Sequence, residues 1–96
     1  MGMHQKKNKE RNRRVLKMLK TRVPCADCGI NFSHYQMEFD HLRDKRMAVS
    51  LMINYSTEAL LDEIDKCDIV CKMCHATRTY RRIHDDVRKT ENETDT

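Results

Sequence analysis

Two CxxC pairs decide the fold of this chain: Cys25-Ala26-Asp27-Cys28 and Cys71-Lys72-Met73-Cys74, the second followed directly by His75. Each pair places two thiols on a tight turn, so the four cysteines can close a tetrahedral zinc site. Such a site would bring the segments that carry Asp40, His41 and His75 side by side. The sequence therefore predicts a small domain held together by structural zinc.

The two pairs have alternative interpretations. They could occur by accident, or they could be redox-active, but a redox CxxC normally stands alone in a βαβ context that this chain lacks. The number of cysteines is odd, and Cys67 lies seven residues after Leu60 on an apolar helix face. We therefore expect Cys67 to be a buried small hydrophobic residue and not a fifth ligand. Because four thiolates leave no open coordination position, any chemistry must come from other residues.

Composition limits the class of protein. The chain has 96 residues, of which 35% are charged and 39% hydrophobic, with no Trp, as expected for one small domain that needs a metal to support its core. No apolar run approaches the length of a membrane span, and the basic N-terminus lacks the apolar stretch of a signal peptide. The sequence predicts a cytoplasmic protein without a membrane partner.

The charge is unevenly distributed. Residues 1–24 contain nine Lys or Arg and one acidic residue, whereas residues 25–96 contain ten basic and fourteen acidic residues. We interpret residues 1–22 as a basic arm, helical over about residues 6–21, that contacts DNA phosphates. A solvated tail without a partner is the alternative. The DNA-contacting candidates in the arm are Lys6, Lys7, Lys9, Arg11, Arg13, Arg14 and Lys17.

The body of the domain is expected to span residues 23–84. Alternating apolar and polar residues predict a strand at residues 37–41, and Val49, Leu51 and Ile53 indicate a second strand or an extended loop. Ser56 is the predicted N-cap of a helix over residues 57–66. A final helix is expected from His75 to about residue 88. Residues 85–96 form an acidic tail, predicted to be largely disordered.

Asp40, His41 and His75 are the candidate catalytic residues. A carboxylate and an imidazole suit a hard divalent cation, and a second imidazole can then act as general base. Taken alone, His75 could also be a surface residue or a spare zinc ligand. Adjacent side chains of a regular strand point to opposite faces, so Asp40 and His41 can serve one phosphate only if the strand ends or distorts there. We expect a distortion.

Residues 39–41 (Phe-Asp-His) and 66–75 (Lys-Cys-Asp-Ile-Val-Cys-Lys-Met-Cys-His) resemble the zinc-containing branch of the HNH endonuclease family. The resemblance implies an α+β domain of the ββα-metal fold. It also implies that Asp40 and His75 bind a catalytic ion (Mg²⁺, Mn²⁺ or Ni²⁺) and that His41 activates water. The zinc ligands would be Cys25, Cys28, Cys71 and Cys74. The family's middle Asn, which orients the base, has no clear counterpart here.

These observations together predict a DNA endonuclease that hydrolyses phosphodiester bonds with one divalent ion. Arg78, Arg81 and Arg82 follow His75 and could clamp flanking phosphates, although a solvated helix face is an equally good interpretation of each. The size and basic arm are similar to small phage-encoded members of the family, some of which work with the phage terminase. The alternative function is a non-catalytic zinc-knuckle DNA-binding protein or regulator, or a module that supports a larger enzyme.

Overall fold

The structure combines three α-helices with a two-stranded antiparallel sheet. It is a computed structural model that describes the backbone of residues 2–95 and the side chains of residues 8–84. The elements are α1 (Gly2–Arg22), β1 (Met37–His41), α2 (Thr57–Ile64), β2 (Cys67–Cys71) and α3 (Lys72–Asp95), with 3₁₀ helices at His34–Gln36 and Val49–Met52. The chain therefore has a small mixed α and β fold. Among the described residues, no helix combines the length and apolar character needed to cross a membrane.

Four of the five predicted elements are present, although the bounds of the helices differ from the predicted ones, and the prediction for the fifth is wrong. β1 occupies the predicted residues, and Ser56 caps α2 by accepting a hydrogen bond from the Ala59 N–H (3.1 Å). The stretch expected to be a strand or an extended loop is the 3₁₀ helix Val49–Met52. Val49 and Met52, three residues apart, are buried, whereas Leu51 is 67% exposed. The alternation of apolar residues that suggested a strand therefore does not match the buried positions.

The second strand, β2, was not predicted. It pairs with β1 in a continuous register from Met37 opposite Cys71 to His41 opposite Cys67. Cys67 was expected to lie on the apolar face of the α2 helix, but it begins β2 instead. Its side chain is partly buried against the second core cluster described below. α3 follows β2 without a loop, so the second CxxC pair spans the junction of strand and helix.

The core consists of two small clusters of buried residues on either side of Phe39. The first contains Cys25, Met37, Ile69, Val70 and Cys71, and the second contains Val49, Met52 and Leu60. Leu19 of α1 packs against the first cluster and Leu16 against the second. The basic arm is therefore a helix attached to the domain by apolar contacts.

Asn12 fixes α1 to the loop before α2. Its side chain is fully buried, its Nδ2 donates to the Ile53 carbonyl (2.9 Å) and the Tyr55 carbonyl (2.7 Å), and its Oδ1 accepts from the Thr57 hydroxyl (2.8 Å). α3 runs to Asp95, beyond the predicted end. The side chains of the acidic tail, residues 85–96, lie outside the described ones, and the predicted disorder there stays a prediction.

Replacing Asn12 should destabilise the docked helix. Asn12→Ala removes the partner of two carbonyls and one hydroxyl in a buried place, where an unsatisfied polar group costs about 1–3 kcal/mol. We expect a lower midpoint in urea unfolding of the metal-loaded protein. Asn31→Ala, at an exposed position, is the matched control and should unfold like the unmodified chain. Equal midpoints for the two variants would show that Asn12 does not hold α1.

Candidate metal centre and active site

The four cysteines of the two CxxC pairs meet at one point. The Sγ atoms of Cys25, Cys28, Cys71 and Cys74 all lie within 4.8 Å of one another. Zinc–sulfur bonds of about 2.3 Å in a tetrahedron place the sulfurs about 3.8 Å apart, so only small side-chain movements separate this cluster from an ideal site. The cluster could therefore hold a metal ion such as zinc. Cys67 is not part of it, in agreement with the sequence-based expectation.

Backbone N–H groups support the thiolate state of Cys25, whereas the hydrogen bond with Cys71 raises the pKa of Cys74 to about 12. The Cys71 N–H donates to Cys25 Sγ (3.3 Å), and the Cys74 N–H donates to Cys71 Sγ (3.4 Å). Burial by itself raises the pKa of Cys25, but the backbone N–H groups of Cys28 and Cys71 outweigh it and lower that pKa to about 6. Because metal ions bind the thiolate, these contacts favour metal binding.

The cluster determines where α3 lies. The Ala26 N–H donates to the Ile69 carbonyl (2.9 Å), so the first CxxC turn is also bonded to β2. Gly29, with φ of +74°, completes this turn in a conformation that glycine adopts without strain. With its start held by Cys71 and Cys74, α3 crosses the sheet face that carries Glu38 and Asp40, two residues apart on β1.

His75 lies between two carboxylates on this face. Its Nδ1 is 2.8 Å from Glu38 Oε1, and its Nε2 is 3.4 Å from Asp40 Oδ1. When the ring is neutral, the short contact places the proton on Nδ1, and the lone pair of Nε2 then faces Asp40. A protonated ring would instead donate to both carboxylates, so His75 binds Glu38 in either state and only its contact with Asp40 depends on the proton.

Asp40 is 3% exposed and is bonded to two arginines of α3. Arg82 donates to both of its oxygens (2.8 Å each), and Arg78 donates to Oδ2 (2.7 Å). These guanidinium groups, Arg82 foremost, lower the pKa of Asp40 to about 2 although burial opposes the shift. Asp40 is therefore ionised at neutral pH.

Arg78 also binds two other carboxylates. It donates to both oxygens of Asp27 (2.6 and 2.7 Å) and to Asp68 Oδ2 (2.9 Å). Its side chain is only 16% exposed, whereas that of Arg82 is 51% exposed. The sequence predicted Arg78, Arg81 and Arg82 as phosphate contacts, but the structure directs Arg78 and Arg82 to acids of this chain. Arg81 is exposed.

His41 lies on the other face of β1. Its Nε2 is 2.9 Å from Glu63 Oε2, and in the described part of the chain it shares no hydrogen bond with Asp40 or His75. The predicted distortion of the strand is absent, because β1 keeps its register with β2 through His41. The structure therefore brings Asp40 and His75 together and places His41 apart from them.

His41 borders a cleft of about 260 Å³. The cleft is also lined by Lys20 of α1, by Lys45 of the loop after β1 and by Glu38, the partner of His75. The Lys20 Nζ lies 5.3 Å from the centre of the Phe39 ring, and burial lowers the pKa of this amine. Glu38 thus lines the cleft that His41 borders and also forms a hydrogen bond with His75.

Two carboxylates with defined partners were not predicted. Glu38 is two residues before Asp40 on a predicted strand, so the alternation of faces could have placed it beside the same partners. Glu63 falls three residues after Leu60, on the buried side of a predicted helix, where a charged residue requires a partner. Neither pattern indicates which histidine each carboxylate contacts, because the two contacts join residues that are 22 and 37 positions apart in the sequence.

The arm candidates have a common exposed surface. Arg11, Arg13, Arg14 and Lys17 are exposed, and Lys9 is partly exposed. Lys6 and Lys7 lie outside the residues whose side chains are described. The exposed basic residues occupy the part of α1 that does not pack on the core.

Comparison of the chain with protein-family models, curated proteins and solved structures gave no match. The likeness to HNH endonucleases therefore stays a resemblance of short motifs.

Removing a cysteine of the cluster should release the metal and unfold the domain. We expect Cys25→Ser and Cys74→Ser to lose bound zinc and cooperative unfolding, because a core of two small clusters gives little stability without the metal. Cys67→Ser is the control and should keep one zinc per chain. Metal analysis by mass spectrometry that finds zinc lost only from the Cys67 variant would contradict this assignment.

Proposed function

We propose that this protein is a divalent-metal-dependent DNA endonuclease with a structural zinc ion on its four clustered cysteines. The observation that supports the proposal best is His75, whose Nδ1 is held by Glu38 while its Nε2 faces the buried, ionised Asp40. Asp40 and His75 would hold the catalytic ion. A single ion that binds a phosphodiester can neutralise the charge that develops on the phosphate and on the departing oxygen.

The donor set fits such an ion. A carboxylate oxygen and a neutral imidazole suit Mg²⁺, Mn²⁺ or Ni²⁺, with water and phosphate oxygens in the other positions. Neighbouring ligands of an octahedral ion with bonds of about 2.1 Å are about 3.0 Å apart, and Asp40 Oδ1 lies 3.4 Å from His75 Nε2. Oδ1 would have to exchange its bond with Arg82, the more exposed of the two arginines.

His41 would remove the proton of the attacking water. Its Nε2 is bonded to Glu63, so in the neutral ring Nδ1 is the nitrogen that can accept a proton. Lys20 and Lys45 border the same cleft and would attract the phosphate. Asp40 and His41 lie on opposite faces of the regular strand, so this role of His41 requires the end of β1 to distort when the ion and the DNA bind.

One observation favours the alternative function, a zinc-knuckle DNA-binding protein without catalysis. Three arginine hydrogen bonds already occupy both oxygens of Asp40, which is the arrangement of a structural ion pair. Both functions use the exposed basic surface of α1. Only the divalent-ion dependence of DNA cleavage separates them.

Removing His41 should abolish cleavage without loss of binding. The unmodified protein should nick or linearise supercoiled plasmid when Mg²⁺, Mn²⁺ or Ni²⁺ is added, and His41→Ala should be slower by about 10²–10⁴-fold, the usual contribution of a general base. His84→Ala, at an exposed position on α3, should cut normally. No cleavage by the unmodified protein with any of these ions would favour the non-catalytic function.

Neutralising the exposed residues of α1 should reduce the salt dependence of DNA binding. If Arg11, Arg13, Arg14 and Lys17 contact phosphates, changing all four to Gln should flatten the slope of log K against log salt by about three to four, since each contact releases about one counterion. The substitutions leave Asn12 and Leu16 intact, so α1 stays docked. The single change Arg43→Gln should alter the slope by about one at most. An unchanged slope in the fourfold variant would exclude α1 as the DNA-binding surface.

A further inference from the structure

We infer that Glu63 is the positioning residue of His41, and that it does the work that an amide side chain does in the motif this chain lacks. The inference rests on the proposed function, because it gives His41 the part of general base. It concerns a residue that neither the CxxC pairs nor the Asp-His dipeptide indicates.

Glu63 is a charged residue in a fully enclosed place. It is 2% exposed and lies on α2 among residues that pack in the second core cluster. Burying a carboxylate is unfavourable unless hydrogen-bond donors surround it. We therefore expect the groups around Glu63 to be donors that its negative charge stabilises. A helix that required only packing there would carry an apolar residue.

Three donors surround the carboxylate. Oε2 accepts from the Arg46 N–H (2.9 Å) and lies 2.9 Å from His41 Nε2, while Oε1 accepts from Lys66 Nζ (3.0 Å). The Arg46 N–H, followed by Lys66 and His41, lowers the pKa of Glu63 to about 2 in spite of burial. Glu63 is therefore ionised at neutral pH and can only accept hydrogen bonds.

An acceptor at Nε2 decides where the proton of neutral His41 lies. The ring must present Nε2–H to Glu63, which leaves Nδ1 without a proton, and Nδ1 is the atom that can take one from water. When it does so, the negative charge of Glu63 stabilises the imidazolium that forms. The hydrogen bond from the backbone N–H of Arg46 holds the Glu63 carboxylate in place. This backbone contact therefore also helps to fix the orientation of the His41 ring.

The lysines near His41 fall into two groups, one beside Glu63 and one along the cleft. Lys66 binds Glu63 and also donates to the Asp44 carbonyl (3.0 Å), so it closes the far side of the carboxylate. Lys20 and Lys45 instead border the cleft on which His41 opens. The imidazole thus has Glu63 at its Nε2, and the cleft that it borders is lined by two lysines and by the carboxylate of Glu38.

The kinetic test is a double-mutant cycle. Glu63→Gln keeps an oxygen for the Arg46 N–H and for His41, so the fold should persist, but it removes the charge. We expect kcat to fall about 10²-fold with KM, DNA affinity and zinc content unchanged, a loss no larger than that of His41→Ala. The double variant His41→Ala/Glu63→Gln should be no slower than His41→Ala alone. Additive losses would overturn the inference.

Asp62→Asn is the matched control, because it removes the same charge one residue away at an exposed position of α2. It should cut DNA at the unmodified rate, and an equal loss there would show a general charge effect and overturn the inference. A Glu63→Gln variant that cuts as fast as the unmodified protein would overturn it as well, while leaving the proposed function in place.

A spectroscopic test does not depend on cleavage. Ring ¹⁵N chemical shifts of His41 in the unmodified zinc-loaded protein, recorded at about pH 8 where a free imidazole is neutral, should show a protonated Nε2 and a bare Nδ1. Glu63→Ala should give a mixture of the two tautomers. A protonated Nδ1 in the unmodified protein would contradict the inference even if the protein cuts no DNA, so the failure of one proposal is distinguishable from the failure of the other.

Discussion

The juxtaposition of four thiols from the two ends of the domain is the constraint on which the other features depend. Cys25 and Cys28 follow α1, whereas Cys71 ends β2 and Cys74 lies in the first turn of α3. A metal ion bound to all four would fix the start of α3 against the sheet. The two core clusters contain few buried side chains, so apolar burial alone would leave the position of α3 poorly determined.

A second connection between the same segments is ionic. Arg78 of α3 binds Asp27 of the first CxxC turn, Asp40 of β1 and Asp68 of β2, so one guanidinium joins the elements that the cysteines also join. Each candidate histidine has a carboxylate partner, Glu38 for His75 and Glu63 for His41. The buried carboxylates of Asp40 and Glu63 are thus balanced by less buried cations around β1, and each ring keeps one nitrogen directed away from its carboxylate partner.

Local patterns predicted part of this arrangement. The CxxC spacing, the alternation of β1 and the Ser56 cap are contained in short stretches of sequence, and the structure has all three. β2 was not predicted because no glycine or proline separates its sequence, Cys-Asp-Ile-Val-Cys, from the helices before and after it. The docking of α1 by Asn12 and the pairing of Glu63 with His41 depend on contacts between distant residues, and no local pattern encodes them.

The proposed function requires a closed metal centre on the four cysteines and, on the adjoining face of the sheet, an open one at Asp40 and His75. Anomalous diffraction from crystals grown with Mn²⁺, recorded at the zinc and manganese absorption edges, tests it most directly. The account predicts zinc surrounded by the four Sγ atoms and manganese bonded to His75 Nε2 and an Asp40 oxygen, with Arg82 displaced. Manganese absent from that position, with Arg82 still bonded to Asp40, would contradict it.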